Sequence, residues 1–176
     1  MNRYFIAHLP RGPIEGYHRA LVADVANRFS LENSSAYFPT HFTIKAPFKA
    51  DDVAAVKSEL ELFAKTYQAS PYAIRGFGHF GNQVVFLDVE LSKESGIREL
   101  QSSLKNVLNI SWGEYEPLKI FHITVASKDL SKKFDAVWDA LADRQIPHFA
   151  PLFDNVALLR KESGVWVVDS IYYLNL

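Results

Sequence analysis

The sequence predicts an α+β fold of two lobes related by an approximate two-fold axis, each an antiparallel-rich sheet with helices on its outer face, with a central cleft between them. Two observations carry this. First, the chain repeats itself at an offset of 81 residues with no gap. His41-Phe42-Thr43-Ile44 falls on His122-Ile123-Thr124-Val125, Ala55-Val56 on Ala136-Val137, Leu60 on Leu141, and Val84 and Asp88 on Val165 and Asp169. Second, strand-like and helix-like apolar spacings alternate, so that each copy reads strand, helix, strand, helix, strand. The last strand of the first copy also opens the second.

The elements follow in order. Tyr4 to Leu9 is an apolar run stopped by Pro10 and Gly12, and it reads as a buried strand. Ile14, Tyr17, Leu21, Val25 and Phe29 recur at helical spacing over 13–30, with Pro13 in the first turn, where a missing N–H costs nothing. A polar loop leads past Tyr37-Phe38-Pro39 into a strand over 40–48. Asp51 or Asp52 caps a helix over 52–68 that carries Val53, Val56, Leu60 and Phe63 on one face. Residues 71–77 and 83–91 are two strands joined by a glycine-bearing turn, 78–82. A helix over 93–109 capped by Ser92 comes next, then a strand over 119–126 and a helix from Ser131 to 143. Strands over 153–160 and 165–173 close the chain. No linker or low-complexity stretch intervenes, so residues 1–176 read as a single bilobal domain with a lobe junction near 91.

Composition excludes several classes. At 176 residues, 48% hydrophobic and 14% aromatic, the chain can fill a core and is not disordered. A net charge of −1 argues against holding long nucleic acid mainly by counterion release, while leaving space for a local pocket for one or two phosphates. With no cysteine, disulfides, thiolate nucleophiles and cysteine-based zinc sites are excluded. The apolar run after Met1 is broken by His8 and Pro10, and no membrane-length apolar stretch occurs anywhere. The expectation is a cytoplasmic monomer that needs no membrane.

The chemistry sits in the two repeated segments. Side chains alternate along a strand, so His41, Thr43 and Lys45 are expected on one face and Phe42, Ile44 and Ala46 on the other. His122 and Thr124 likewise share a face opposite Ile123 and Val125. With the apolar sets turned to the helices, both His-Thr pairs face a groove, opposite one another across the two-fold. This suits phosphoryl chemistry without a metal. One imidazole takes a proton from the attacking water or hydroxyl, and the other protonates the leaving oxygen. Threonine hydroxyls donate hydrogen bonds to the non-bridging phosphate oxygens. A single His-x-Thr is ordinary strand composition, and its histidine is more often structural. Two in register within a duplication point to one shared site.

The paired motifs resemble those of the two-histidine phosphoesterase superfamily, whose best-known branch is the 2′-5′ RNA ligase-like proteins. The flanking Lys45-Ala46-Pro47-Phe48, and Gly76-Phe77-Gly78-His79-Phe80 before Val84-Val85-Phe86-Leu87-Asp88-Val89, look like that family as well. The resemblance covers nearly the whole chain. It implies a bilobal fold, a cyclic phosphodiesterase or related phosphoesterase without a cofactor, and a nucleotide or short RNA end as substrate. By resemblance His41 and His122 are the acid–base pair, and Thr43 and Thr124 bind phosphate. One departure is Ser127, followed by Lys128, where the RNA ligase-like branch often carries arginine.

Further candidates are weaker. Lys45 would add positive charge beside His41 and Thr43, or be a solvated strand-end lysine. Phe80, with His79, would stack on a base or simply form a hairpin tip. Arg160 would meet a phosphate or only solvent. His8, His18 and His148 have no partner pattern and read as structural or surface residues. No Asp or Glu alternates with either motif histidine, so no metal site is expected. The rival functions are a catalytically idle module that binds a nucleotide or RNA end in the same cleft, and a reversible 2′-5′ RNA ligase.

Overall fold

The computed structural model describes residues 2–108, 112 and 120–176. Among them the chain forms β1 (Asn2–His8), α1 (Pro13–Phe29), β2 (Phe42–Ala50), α2 (Ala54–Thr66), β3 (Ser70–Phe80), β4 (Val84–Leu91), α3 (Ile97–Val107), β5 (Phe121–Ala126), α4 (Phe134–Leu141), β6 (Leu152–Phe153), β7 (Asn155–Glu162) and β8 (Val165–Tyr173). Two four-stranded sheets result, in the orders β2-β1-β7-β8 and β5-β4-β3-β6, with antiparallel pairing throughout. The 81-residue offset carries β1, β2 and β3 onto β4, β5 and β7. The arrangement β2-β1-β7 in one lobe therefore matches β5-β4-β3 in the other.

The lobes are not successive halves of the chain, which corrects the expected junction near 91. One sheet takes β1 and β2 from the first copy and β7 and β8 from the second; the other takes β3 and β4 with β5 and β6. Short hairpins explain the exchange. Gly81, at positive φ, lies in the turn that joins β3 to β4, and Ser163-Gly164, both at positive φ, join β7 to β8. Such turns force each pair of strands to be neighbours. Each copy thus completes the other's sheet.

Several predicted boundaries move for local reasons. β3 runs on to Phe80, so Gly78, His79 and Phe80 belong to the strand and not to a turn. Ser92 Oγ accepts the Glu94 N–H and caps a short 3-10 turn; α3 starts only after Gly96. Ser131 does not cap α4, which starts at Phe134. Asp154, paired with Arg11, splits the expected strand over 153–160 into β6 and β7. Val53, not Asp51 or Asp52, is the N-cap residue of α2, and Asp52 Oδ1 accepts the Ala54 N–H at 2.8 Å from the position before it. The expected strand start at 119 and helix end at 109 lie outside the described residues.

One core, built on Ile6, Leu21, Phe42, Ile44, Leu60, Leu87, Leu104, Ile123 and Leu158, runs behind both sheets and receives the buried faces of all four helices. A second, small cluster of Phe5, Ala7, Ala157, Leu159 and Trp166 covers the other face of the first sheet. That second face leads to the site.

Candidate active site

Both motif strands are edge strands, and each lies beside a helix from the other side of the molecule. An edge strand leaves carbonyl groups without a ladder partner, and buried ones need donors. Gln101 of α3 supplies one, donating Nε2–H to the Ile44 carbonyl of β2 at 3.0 Å. His18 of α1 supplies the other: its Nε2–H donates to the Thr124 carbonyl of β5 at 2.8 Å, and its Nδ1 accepts the Thr40 hydroxyl at 2.9 Å. β2 and β5 themselves meet across the lobe boundary, with the Phe42 and Phe121 rings 5.7 Å apart. The two motifs are therefore held to one another through side chains outside both.

The histidines are mounted alike. His41, one residue before β2, donates Nδ1–H to the Pro39 carbonyl at 2.8 Å; His122, within β5, sets Nδ1 towards the Ile120 carbonyl at a longer 3.5 Å. Each bond runs to the residue two before and leaves Nε2 as the free lone pair of a neutral ring. Beneath His41 lies Phe5 of β1, and beneath His122 lies Phe86 of β4, each at 5.0 Å and each the other's equivalent at the 81-residue offset. A second phenylalanine, 39% exposed, flanks each imidazole: Phe38 stacks on His41 and Phe80 meets His122 edge-on. Gly78 allows this on the second side, because a Cβ there would lie 2.5 Å from the Phe86 ring.

Thr124, His41 and His18 line one cavity of about 140 Å³ together with Ser34, Ser35, Phe38, Pro39 and Ser127. Thr43 pairs with Ala7 and so lies on the Phe5 face. Burial lowers the pKa of His41 to about 4, outweighing its bond to Pro39; the neighbouring His18 and His122 imidazoles lower it further. His122 is also lowered by burial, but Asp88 opposes the shift. Asp88 pairs with His122 across β4 and β5, whereas its equivalent in the first lobe is Ala7. One histidine thus has a carboxylate beside it among the described residues, and the other does not. Among the described residues no three His, Asp or Glu side chains gather as a metal ligand set.

A family model described as the 2′-5′ RNA ligase superfamily matches residues 18–165. The chain belongs to that superfamily. A Bacillus pumilus (strain SAFR-032) protein named "Putative phosphoesterase" is 29% identical over 157 residues, covering 86% of this chain and 90% of that protein. A Geobacillus sp. (strain WCH70) protein of similar name is 27% identical over 154 residues, covering 84% and 86%. Among solved structures, E. coli LigT complexed with 3′-AMP has a TM-score of 0.51 at 14% identity, covering 99% of both chains. Kluyveromyces marxianus Usb1 has a TM-score of 0.53 at 15% identity, covering 99% of this chain and 98% of that one. These two likenesses show a shared fold.

Within this superfamily fold, two expected site residues lie elsewhere. Lys45 is only 2% exposed and pairs with Ile6 on the helix side of the sheet, with Nζ over the Trp112 ring and donating to the Ala46 carbonyl. Register shifts on both sides of Lys45 insert extra residues into β2, so the simple alternation from Thr43 fails. Arg160 pairs with Tyr4 on that same helix side and is held by Glu162 and Asp169. Phe80, by contrast, is brought against His122. His79 docks on Phe134 and Trp138 of α4 and anchors the hairpin that carries it. Sequence reasoning missed His18, a lone helical histidine without a motif, and Asp88, whose only signal was its place in the duplication. Ser127, at the position of the departing arginine, lines the cavity, while Lys128 pairs with Glu32. No described helix is long and apolar enough to cross a membrane.

Proposed function

We propose that this chain is a metal-independent phosphoesterase that opens 2′,3′-cyclic phosphates of nucleotides or short RNA ends to 2′-phosphates. The observation that carries the reading is the matched pair of imidazoles, each fixed through Nδ1 with Nε2 left unbonded, on equivalent positions of two facing edge strands. Family membership supports a phosphoesterase, and the 3′-AMP held by LigT and the uridine monophosphate held by Usb1 support a nucleotide as substrate.

In the proposed reaction His41 is the base. Its low pKa keeps it unprotonated, so Nε2 accepts a proton from water as the water oxygen bonds to phosphorus. The bond from phosphorus to O3′ breaks, and His122 gives its proton to O3′. Asp88 beside His122 favours the imidazolium needed for that step. Thr43 and Thr124 donate hydroxyl hydrogen bonds to the non-bridging oxygens as charge builds there. The exposed faces of Phe38 and Phe80 offer stacking surfaces for a base.

The test is turnover in EDTA on a panel of 2′,3′-cyclic nucleotides, with His41→Ala and His122→Ala as partners. Each substitution is expected to lower kcat by roughly 10²–10⁴-fold. Absence of turnover across the panel, with measurable nucleotide binding, would favour the idle binding module instead.

A further inference from the structure

We propose that the cleft holds a second phosphate of its substrate, beyond the scissile one, on a row of three cations that crosses the first sheet: Lys49 of β2, Arg3 of β1 and Lys161 of β7. The inference rests on reading the cleft as a phosphodiester site and adds to it the substrate's length.

Strand register places the row. Arg3 pairs with Lys49, and partners across an antiparallel pair share a face. Their neighbours Tyr4 and Phe48 pack into the helix-side core, so Arg3 and Lys49 lie on the opposite side, with Phe5 two residues along β1. Phe5 touches His41, so this is the face that carries the motif histidine. Lys161 follows Arg160, which faces the helices, and so faces the cleft. Ring contacts agree with the register. The Arg3 guanidinium lies 5.9 Å from the Trp166 ring centroid and the Lys161 ammonium 5.7 Å from it, and Trp166 is buried beneath them with its edge against Phe5.

Two features mark the row as a place for an anion. Arg3, Lys49 and Lys161 are exposed and form no ion pair with any described residue, although Arg160 and Lys57 on the helix side are both paired. The duplication also shows that the fold itself does not demand charge here. On the strands of the other sheet the equivalents of Arg3 and Lys161 are Val84 of β4 and Phe80 of β3, while the offset carries Lys49 beyond the end of β5 to the buried Leu130. The cleft therefore has two unlike ends, aromatic with one carboxylate, Asp88, around His122 and cationic beyond His41. Along β1 the row lies four residues from Ala7, the partner of Thr43, a span of about 13 Å. That is too far for the scissile phosphate, but within reach of a neighbouring nucleotide's phosphate. Arginine and lysine held by an indole face keep their charge available while losing little side-chain freedom.

The experiment measures affinity by calorimetry, in EDTA, for three probes: a nucleoside 2′-phosphate, the same nucleotide carrying an added 5′-phosphate, and a dinucleotide ending in a 2′-phosphate. Both two-phosphate probes, or the dinucleotide alone, should bind about five- to tenfold tighter than the first. The 5′-phosphorylated probe separates a terminal phosphate from an internal one. In the Arg3→Gln/Lys161→Gln variant that preference should shrink towards unity. The salt dependence of dinucleotide binding should become shallower in the same variant, because the cations that neutralise the second phosphate are gone. Circular dichroism and thermal unfolding show whether the variant keeps its fold, and Lys161→Arg, which conserves charge, should retain the preference. Equal affinity for all three probes overturns the proposal, as does a preference that survives in a folded double variant. Because binding is read without turnover, a failure of the catalytic reading leaves this result interpretable: no turnover with a clear preference removes only the chemistry, and turnover without a preference removes only the second phosphate site.

Discussion

Replacing Gly78 by alanine tests whether the fit of the rings under His122 controls the chemistry. The added Cβ would lie 2.5 Å from Cε2 and 2.8 Å from Cζ of Phe86, against an ordinary carbon contact of about 3.5–4.0 Å. The ring has to give by about 1 Å. It has little space to do so, being 4% exposed with Phe80 at 4.5 Å and His122 at 5.0 Å. The displacement passes to His122 or to Phe80. Overpacking of this kind costs about 1–3 kcal/mol, and a 1 Å misplacement of a catalytic group costs about 10²-fold in rate. Urea unfolding and cyclic phosphate turnover, measured on the same preparation, read both effects. Combining Gly78→Ala with Phe86→Leu returns space beside residue 78 and should recover part of the stability. Wild-type stability and rate in the single variant would refute the argument, since the ring would then have moved freely.

Three further expectations follow from the same geometry. Burial lowers the pKa of both His41 and His122, and the proton donor must be charged in the free enzyme, so kcat/KM should already decline as pH rises through the region below 6.5; Asp88→Asn should move that alkaline limb to lower pH, and a plateau reaching pH 7.5 would contradict the scheme. His8 is enclosed by Phe42, Tyr72 and Phe153, and burial lowers its pKa from 6.5 to about 4. The unfolded chain binds this proton first, so stability is complete above pH 6.5 and is lost as pH falls towards 4. The loss is about 3 kcal/mol from this residue, to be read as unfolding free energy against pH with His8→Leu flattening the curve. His18→Ala leaves the Thr124 carbonyl and the Thr40 hydroxyl without their partner and should destabilise by about 2–4 kcal/mol, with turnover lost in parallel; an unchanged unfolding midpoint would show that water replaces the imidazole.

Whatever is local or repeated could be read from the chain alone. Apolar spacing located each strand and helix to within a few residues, because burying one face imposes a period of two or of 3.6 on the chain. The duplication named His41, Thr43, His122 and Thr124 together, because one fold used twice keeps equivalent residues at a constant offset. Which copy completes which sheet was settled only in three dimensions, since strand pairing is set by hairpins and register across long separations. Register also decided Lys45, turned to the helix side by the irregularities around it, and Arg160, fixed there beside Asp169. The roles of His18 and Asp88 were hidden for a related reason. Each acts on a motif residue through space, His18 from 106 positions away in the chain, and a side chain that satisfies a distant carbonyl or faces a distant imidazole leaves no periodic trace in its own neighbourhood.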